Sequence, residues 1–239
     1  MGVIVYNGVS SEELGIVVET APNYEIAERD YDVISVPGKN GDYVIDRGCF
    51  KNVDRVYNIA FAETIGDFAG SATLIAEWLY SGYGYKRLED SYEPDYFVMA
   101  RVSNEHTIHN LLQQAGRAEI TFNRKPQRYL KIGEYTTKIN VNGGRIINPT
   151  SFDSDPLIKV FGSGSGTISI GNKTIQMSNI NDGLTIDCEM QEVYLGSTSY
   201  NQNVNYMYNG FPKLKPGRNI INFSGGVSRV EIIPRWWTV

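Results

Sequence analysis

The sequence predicts a mainly β protein with one helix. Three observations carry that expectation. Sixteen Tyr and 24 Gly stand among many Ile and Val, apolar and polar residues alternate in several runs, and a single segment carries a clear helical stripe. β-Branched and aromatic side chains suit a pleated, half-buried surface, and glycine supplies the positive φ of tight turns. Of the 239 residues, 41% are apolar and 21% charged, enough for a real core and against wholesale disorder. That length accommodates one large domain or two modest ones.

Taken along the chain, Val36-Pro37-Gly38-Lys39-Asn40-Gly41-Asp42 is turn chemistry. It is expected to join two strands that reach a neighbouring copy or, equally, two that pair within the chain. The helix comes next. Ser71, Leu74, Ile75, Trp78 and Leu79 recur at i, i+3, i+4, i+7 and i+8, with Asp67 as N-cap and Ser81-Gly82 as stop, which predicts a helix over 67–81. Thr107 to Gln114 fits a short helix but lies between strand-like runs. Ala118-Glu119-Ile120-Thr121-Phe122 alternates as a strand that Asn123-Arg124-Lys125-Pro126 ends, and Asn142-Gly143-Gly144 and Asn148-Pro149-Thr150 are turn signals.

Gly162-Ser163-Gly164-Ser165-Gly166 reads as a flexible hairpin loop, since no Gly-Lys-Ser/Thr or helix follows to make it a phosphate cradle. Thr167 to Ile170 and Thr174 to Met177 form a hairpin about Gly171-Asn172-Lys173. Leu184 to Met190 and Val227 to Ile232 alternate in the same way. Tyr200 to Tyr206 is expected to be a long polar surface loop.

Charge divides the chain. Twenty-two basic and 27 acidic residues give a net charge of −5, against a binder held by nucleic-acid phosphates. Up to Arg128 the net charge is −7, and from Tyr129 onward it is +2. With the turn signals after Phe122, this places a boundary near residue 140, giving domains 1–140 and 141–239. No basic n-region precedes an apolar run at the start, so no signal peptide is expected. No apolar stretch is long enough for a bilayer-spanning helix, and no membrane insertion is expected.

The residues that could carry chemistry are few. His106 and His109, three apart, would share a helical face, but no further ligands stand nearby, so they read as surface or loop histidines and no metal site is expected. Cys49 and Cys188 form no disulfide framework, and Cys188 reads as a small, partly buried residue instead of a nucleophile. Asp187 and Glu189 sit at i and i+2 on an alternating strand and could pair for glycoside hydrolysis, but with Ile186, Cys188 and Met190 as the buried face they fall on a solvated one. Trp236 and Trp237, with Tyr194, Tyr200, Tyr206 and Tyr208, could stack sugar rings. The preferred alternative packs one Trp in the core and lays the other over an edge. No catalytic residue and no cofactor is assigned.

Several segments in fixed order resemble a known family. Tyr6-Asn7-Gly8-Val9-Ser10-Ser11-Glu12-Glu13-Leu14-Gly15, Glu28-Arg29-Asp30-Tyr31 and Ile34-Ser35-Val36-Pro37-Gly38 open the pattern. Glu77-Trp78-Leu79 and Phe122-Asn123-Arg124-Lys125-Pro126-Gln127-Arg128-Tyr129 continue it. Asp155-Pro156-Leu157-Ile158-Lys159-Val160-Phe161, Leu214-Lys215-Pro216-Gly217-Arg218-Asn219 and Ile233-Pro234-Arg235-Trp236-Trp237 complete it. Together they resemble the distal tail (Dit) proteins of long-tailed bacteriophages, across nearly the whole chain.

The resemblance implies an α+β N-terminal domain related to tail tube proteins and a galectin-like C-terminal β-sandwich. It implies a structural, non-enzymatic hub at the distal end of the virion tail, made in the host cytoplasm. Six copies would form a ring, single or stacked, joining the tail tube protein to a tail-associated or receptor-binding protein. DNA would pass through without specific binding, past a lumen lined by acidic side chains of the N-terminal half. Galectin-type recognition uses histidine and arginine beside a stacking Trp, and the second half contains no histidine. A carbohydrate-binding adsorption module is the runner-up, and a tail-associated glycosidase is third.

Overall fold

The computed structural model describes residues 1–61, 68–103, 117–207 and 210–239. The chain folds as two compact units, Met1–Arg128 with Val239, and Tyr129–Thr238. It is mainly β, with one α-helix among the described residues.

The first unit contains β1 (Ile4–Tyr6), β2 (Val9–Ser10), β3 (Ile16–Val18), β4 (Arg29–Ser35), β5 (Asp42–Phe50), β6 (Val53–Phe61), α1 (Phe68–Tyr80), β7 (Lys86–Asp90), β8 (Tyr96–Val102) and β9 (Arg117–Leu130). Its main sheet runs β2-β1-β7-β8-β9-β6-β3. A bridge between Gly2 and Val18 ties the β3 end back to the segment before β1, so the sheet curls on itself. The curl encloses Ile4, Tyr6, Ile16, Tyr57, Ile59, Ile120 and Phe122, with the Tyr6 and Phe122 rings 5.0 Å apart.

Against this core α1 packs Ile75, Trp78 and Leu79. Each such burial contributes about 1.5–3 kcal/mol, and the Trp78 indole N–H donates to the Tyr6 carbonyl at 3.1 Å. Leu74, expected on the buried stripe, is 55% exposed. The reason is angular: at about 100° per residue it stands about 40° outside the arc shared by Ile75, Trp78 and Leu79, a quarter turn from the arc's middle. The expected N-cap Asp67 lies outside the described residues. β9 also departs from expectation. It does not end at Asn123 but continues through Pro126 to Leu130.

The second unit contains β10 (Thr137–Ile139), β11 (Gly144–Asn148), β12 (Leu157–Ile170), β13 (Lys173–Asn181), β14 (Leu184–Asp187), β15 (Glu192–Leu195), β16 (Thr198–Ser199), β17 (Val204–Met207), β18 (Gly217–Ile233) and β19 (Trp237–Thr238). Two strands organise it. β12 pairs along its length with β18; its first half also pairs with β14 and its second half with β13. β18 pairs with β11 near its start and with β10 near its end. The long strands therefore run through two half-sheets, β10-β18-β12-β14-β15-β16 and β11-β18-β12-β13-β17, which close over one core that includes Ile158, Ile168, Ile186, Ile221 and Ile232. Strands that bend from one layer into the other make the corners of such sandwiches.

Glycines make the bend. Gly162 to Gly166, expected as a hairpin loop, lie within β12 where the ladder to β18 shifts register. Opposite them stand Gly225 and Gly226, and a Cβ on Gly225 would come within 2.6 Å of the Ser165 carbonyl oxygen. A Cβ on Gly162 would strike the Gly226 carbonyl, and one on Gly226 the Ser163 carbonyl. The two backbones approach too closely for side chains, so the glycines are needed for contact and not for looseness.

Candidate interaction interface

β4 and β5 form a two-stranded sheet of their own. The turn between them is closed by the Lys39 N–H donating to the Val36 carbonyl at 3.1 Å, and Gly38 and Gly41 supply φ of +84° and +81°. The strands thus pair within the chain. Their register sets Val33 opposite Val44 and Ile34 opposite Tyr43. Directly opposed residues share a face and alternate residues switch it. Tyr31, Val33 and Val44 therefore lie on one face, and Ile34, Tyr43 and Ile45 on the other. All six are 46–63% exposed.

An isolated hairpin is marginal in water, and this one displays large apolar groups on both faces. Its ion pairs, Arg29–Asp46 at 2.9 Å and Arg47–Asp32 at 2.7 Å, are half exposed and contribute little. Such an arm is built to be covered.

A buried polar cluster fixes the arm's base. Arg124 is fully buried, and its guanidinium donates to the Glu25 carbonyl at 2.7 Å. Burial, with Arg55 and Arg128 nearby, pulls its pKa down to about 10. Arg55 pairs with Glu93 at 2.7 Å and with Asp90 at 3.3 Å, Tyr57 donates to Asp90 at 2.8 Å, and Arg128 pairs with Glu93. The Arg55 guanidinium also lies 4.8 Å from the Tyr24 ring centre. Beyond this cluster the Lys51 N–H donates to the Glu28 carbonyl at 2.8 Å, closing the arm where it leaves the unit.

The residues singled out for chemistry are used structurally. Asp187 and Glu189 do not share a solvated face. β14 stops at Asp187, whose carboxylate accepts the Glu189 and Met190 N–H groups at 3.1 Å and so starts a turn that leaves Met190 70% exposed. Asp187 is itself buried and meets Arg235 in a two-point pair at 2.8 and 3.0 Å. Burial pushes its carboxyl up, but the Arg235 hydrogen bonds and the two main-chain donors outweigh that and hold it below the usual carboxylate range. Three donors at Oδ1 and one at Oδ2 tie this carboxylate to the turn and to Arg235, a structural use.

Cys188 is buried, and burial raises its thiol far above the usual range, leaving no thiolate at neutral pH. Cys49 is exposed on the arm. Trp236 packs in the core. Trp237 stacks on Phe152 with ring centres 4.5 Å apart and donates to the Asp153 carbonyl at 2.9 Å. Tyr200 packs against the second core, and part of the stretch expected as a loop, Val204–Met207, is a strand paired with β13. His106, His109 and Tyr208 lie outside the described residues. Among the described residues no group of three or more His, Cys, Asp or Glu is placed to hold a metal ion, and no helix is long and apolar enough to cross a membrane.

The turn over residues 36–42 and the two strands it joins were expected; the apolar groups on both of their faces were not, yet a signal was present. Tyr43-Val44-Ile45 and Val33-Ile34 are consecutive apolar residues in strands, which puts apolar groups on both faces.

Neither a protein-family model nor a curated sequence matches the chain. Among solved structures, the crystal structure of the Dit protein (gp 19.1) of SPP1, described as a paradigm of the hub adsorption apparatus in phages infecting Gram-positive hosts, superposes with a TM-score of 0.75 at 11% identity, covering 100% of both chains. In fold, from end to end, this chain is similar to that distal tail hub protein.

Proposed function

We propose that this chain is a structural hub of a bacteriophage tail tip. Six copies close into a ring through the first unit, joining the tail tube to the adsorption apparatus, and DNA passes through the opening. The full-length likeness in fold to a hub adsorption protein supports the hub. The observation that carries the ring is the β4–β5 arm, whose two apolar faces call for a second copy of the same unit on either side. The first unit's charge of −7 suits a lumen that must release phosphates. The second unit then meets tail-associated or receptor-binding proteins. The protein belongs to the virion, at the distal end of the tail.

Light scattering and negative-stain microscopy of the full chain test this reading. Wild-type protein forms rings of six. Tyr43→Asp with Val44→Asp, which puts one charge on each face of the arm, yields monomers whose circular dichroism and Trp78 fluorescence are unchanged, because neither side chain reaches the core. Wild-type protein that stays monomeric at micromolar concentration with its tail partners present would overturn the proposal.

A further inference from the structure

One face of the second unit has an unusual chemistry. In the half-sheet β18-β12-β13-β17 the inward residues Ile168, Ile175 and Phe223 belong to the core. The outward residues form two rows across the strands. Ser224, Thr167, Gln176 and Asn205 are direct neighbours in register, and so are Asn222, Ser169 and Thr174. Neighbouring strands stand about 4.8 Å apart and successive outward residues about 7 Å apart, so these groups make a grid. None is charged, and none of the twelve residues lining the open groove of about 510 Å³ over this face is charged either, in a chain that is 21% charged.

Within the grid the hydroxyls pair with each other. Thr167 and Ser224 are 2.7 Å apart, and Ser169 and Thr174 are 2.8 Å apart. The pairing fixes their rotors and leaves acceptor lone pairs facing out. The exposed carboxamides of Gln176 and Asn205 stand side by side, each with two donors and a carbonyl and with no hydrogen bond to the described residues. Gln202 and Asn203 extend the same chemistry along the rim.

We propose that this face binds an uncharged oligosaccharide. A carboxamide donates and accepts at once, which matches adjacent sugar hydroxyls, and a row of them matches successive hydroxyls along a chain. A phosphate-bearing polymer would find no cation among the residues lining the groove, and an apolar peptide would bury polar groups without return. The groove volume lies within the usual range of about 300–1,000 Å³ for small-ligand sites. Its openness suits an internal stretch of a glycan more than a chain end. With no aromatic platform among the lining residues, recognition rests on hydrogen bonds and is weak per copy. The inference is independent of the ring: either stands if the other fails.

The test titrates the full-length protein with chitohexaose, cellohexaose and maltohexaose, with poly(glycerol phosphate) as the anionic comparison, by calorimetry and NMR. At least one neutral hexaose binds with a dissociation constant near or below about 1 mM. Gln176→Ala and Asn205→Ala each weaken it about fivefold or more while circular dichroism is unchanged, because both side chains are exposed. Three results would each overturn the proposal. They are no binding of any neutral hexaose at about 10 mM, preference for poly(glycerol phosphate), and binding that survives both substitutions. Loss of assembly with a tail protein in these variants, with sugar affinity intact, would mark the face as a protein contact and equally overturn it.

Discussion

At Asp187 the carboxylate accepts four hydrogen bonds, three at Oδ1 from the Glu189 and Met190 N–H groups and Arg235, and one at Oδ2 from Arg235. Removing the charge while keeping the shape leaves the Arg235 guanidinium short of its partner, so Asp187→Asn costs about 1–3 kcal/mol. The pH dependence has a definite sign. The folded carboxyl titrates below its unfolded value, so its contribution is present above the unfolded pKa of about 3.9 and is lost as pH falls through the lower folded value. Urea midpoints measured from pH 6 downward therefore drop on acidification in the wild type and less steeply in the variant. Equal slopes would show that the pair contributes nothing to acid stability. Residues such as these were half legible. Arg55 and Arg124 sit on the inward phase of their strands, continuing Tyr57 to Ile59 and Ala118-Ile120-Phe122, so alternation alone points both inward. Their partners, Asp90, Glu93 and the Glu25 carbonyl, come from distant segments that no local pattern connects.

At the level of elements, the glycine crossing between β12 and β18 is the most demanding piece of the second unit. Gly226→Ala or Gly162→Ala forces backbone against backbone, with no flexible side chain to yield. Each is expected to destabilise the second unit by about 2 kcal/mol or more. Gly164→Ala in the same strand meets no atom within 4 Å but must adopt a φ of +79°, which costs about 1 kcal/mol. Chemical denaturation of the three variants checks the order, and a mildest effect at Gly162 would contradict the crossing. Strand alternation foretold parts of β9, β12, β13 and β18, the stretches with one wet face and one dry face. Helical spacing foretold α1, which ends at Tyr80, within a residue of the expected end. The Gly-Ser run misled because composition reports backbone freedom, whereas here the freedom serves close approach to a strand some sixty residues away in sequence. Asp187 misled for a similar reason: alternation ran on past the point where its carboxylate starts a turn.

For the whole molecule, charge separates along the chain, −7 to Arg128 and +2 beyond. Rings closed by the first unit should leave duplex DNA unretarded in gel mobility assays between about 50 and 200 mM salt. Retardation that fades with rising salt would reveal phosphate contacts and contradict an acidic opening. The mainly β character, with one helix among the described residues, and the likeness in fold to a hub protein were both readable, the first from composition and alternation, the second from ordered segments none of which is diagnostic alone.

The arm's attachment has a last consequence. Arg124 grips a carbonyl, and Lys51 and Glu28 meet through main-chain groups. Those are atoms that nearly every amino acid provides. The hinge is thus indifferent to what the arm spells, and its outward lettering is free to be rewritten for a new neighbour while the joint itself holds.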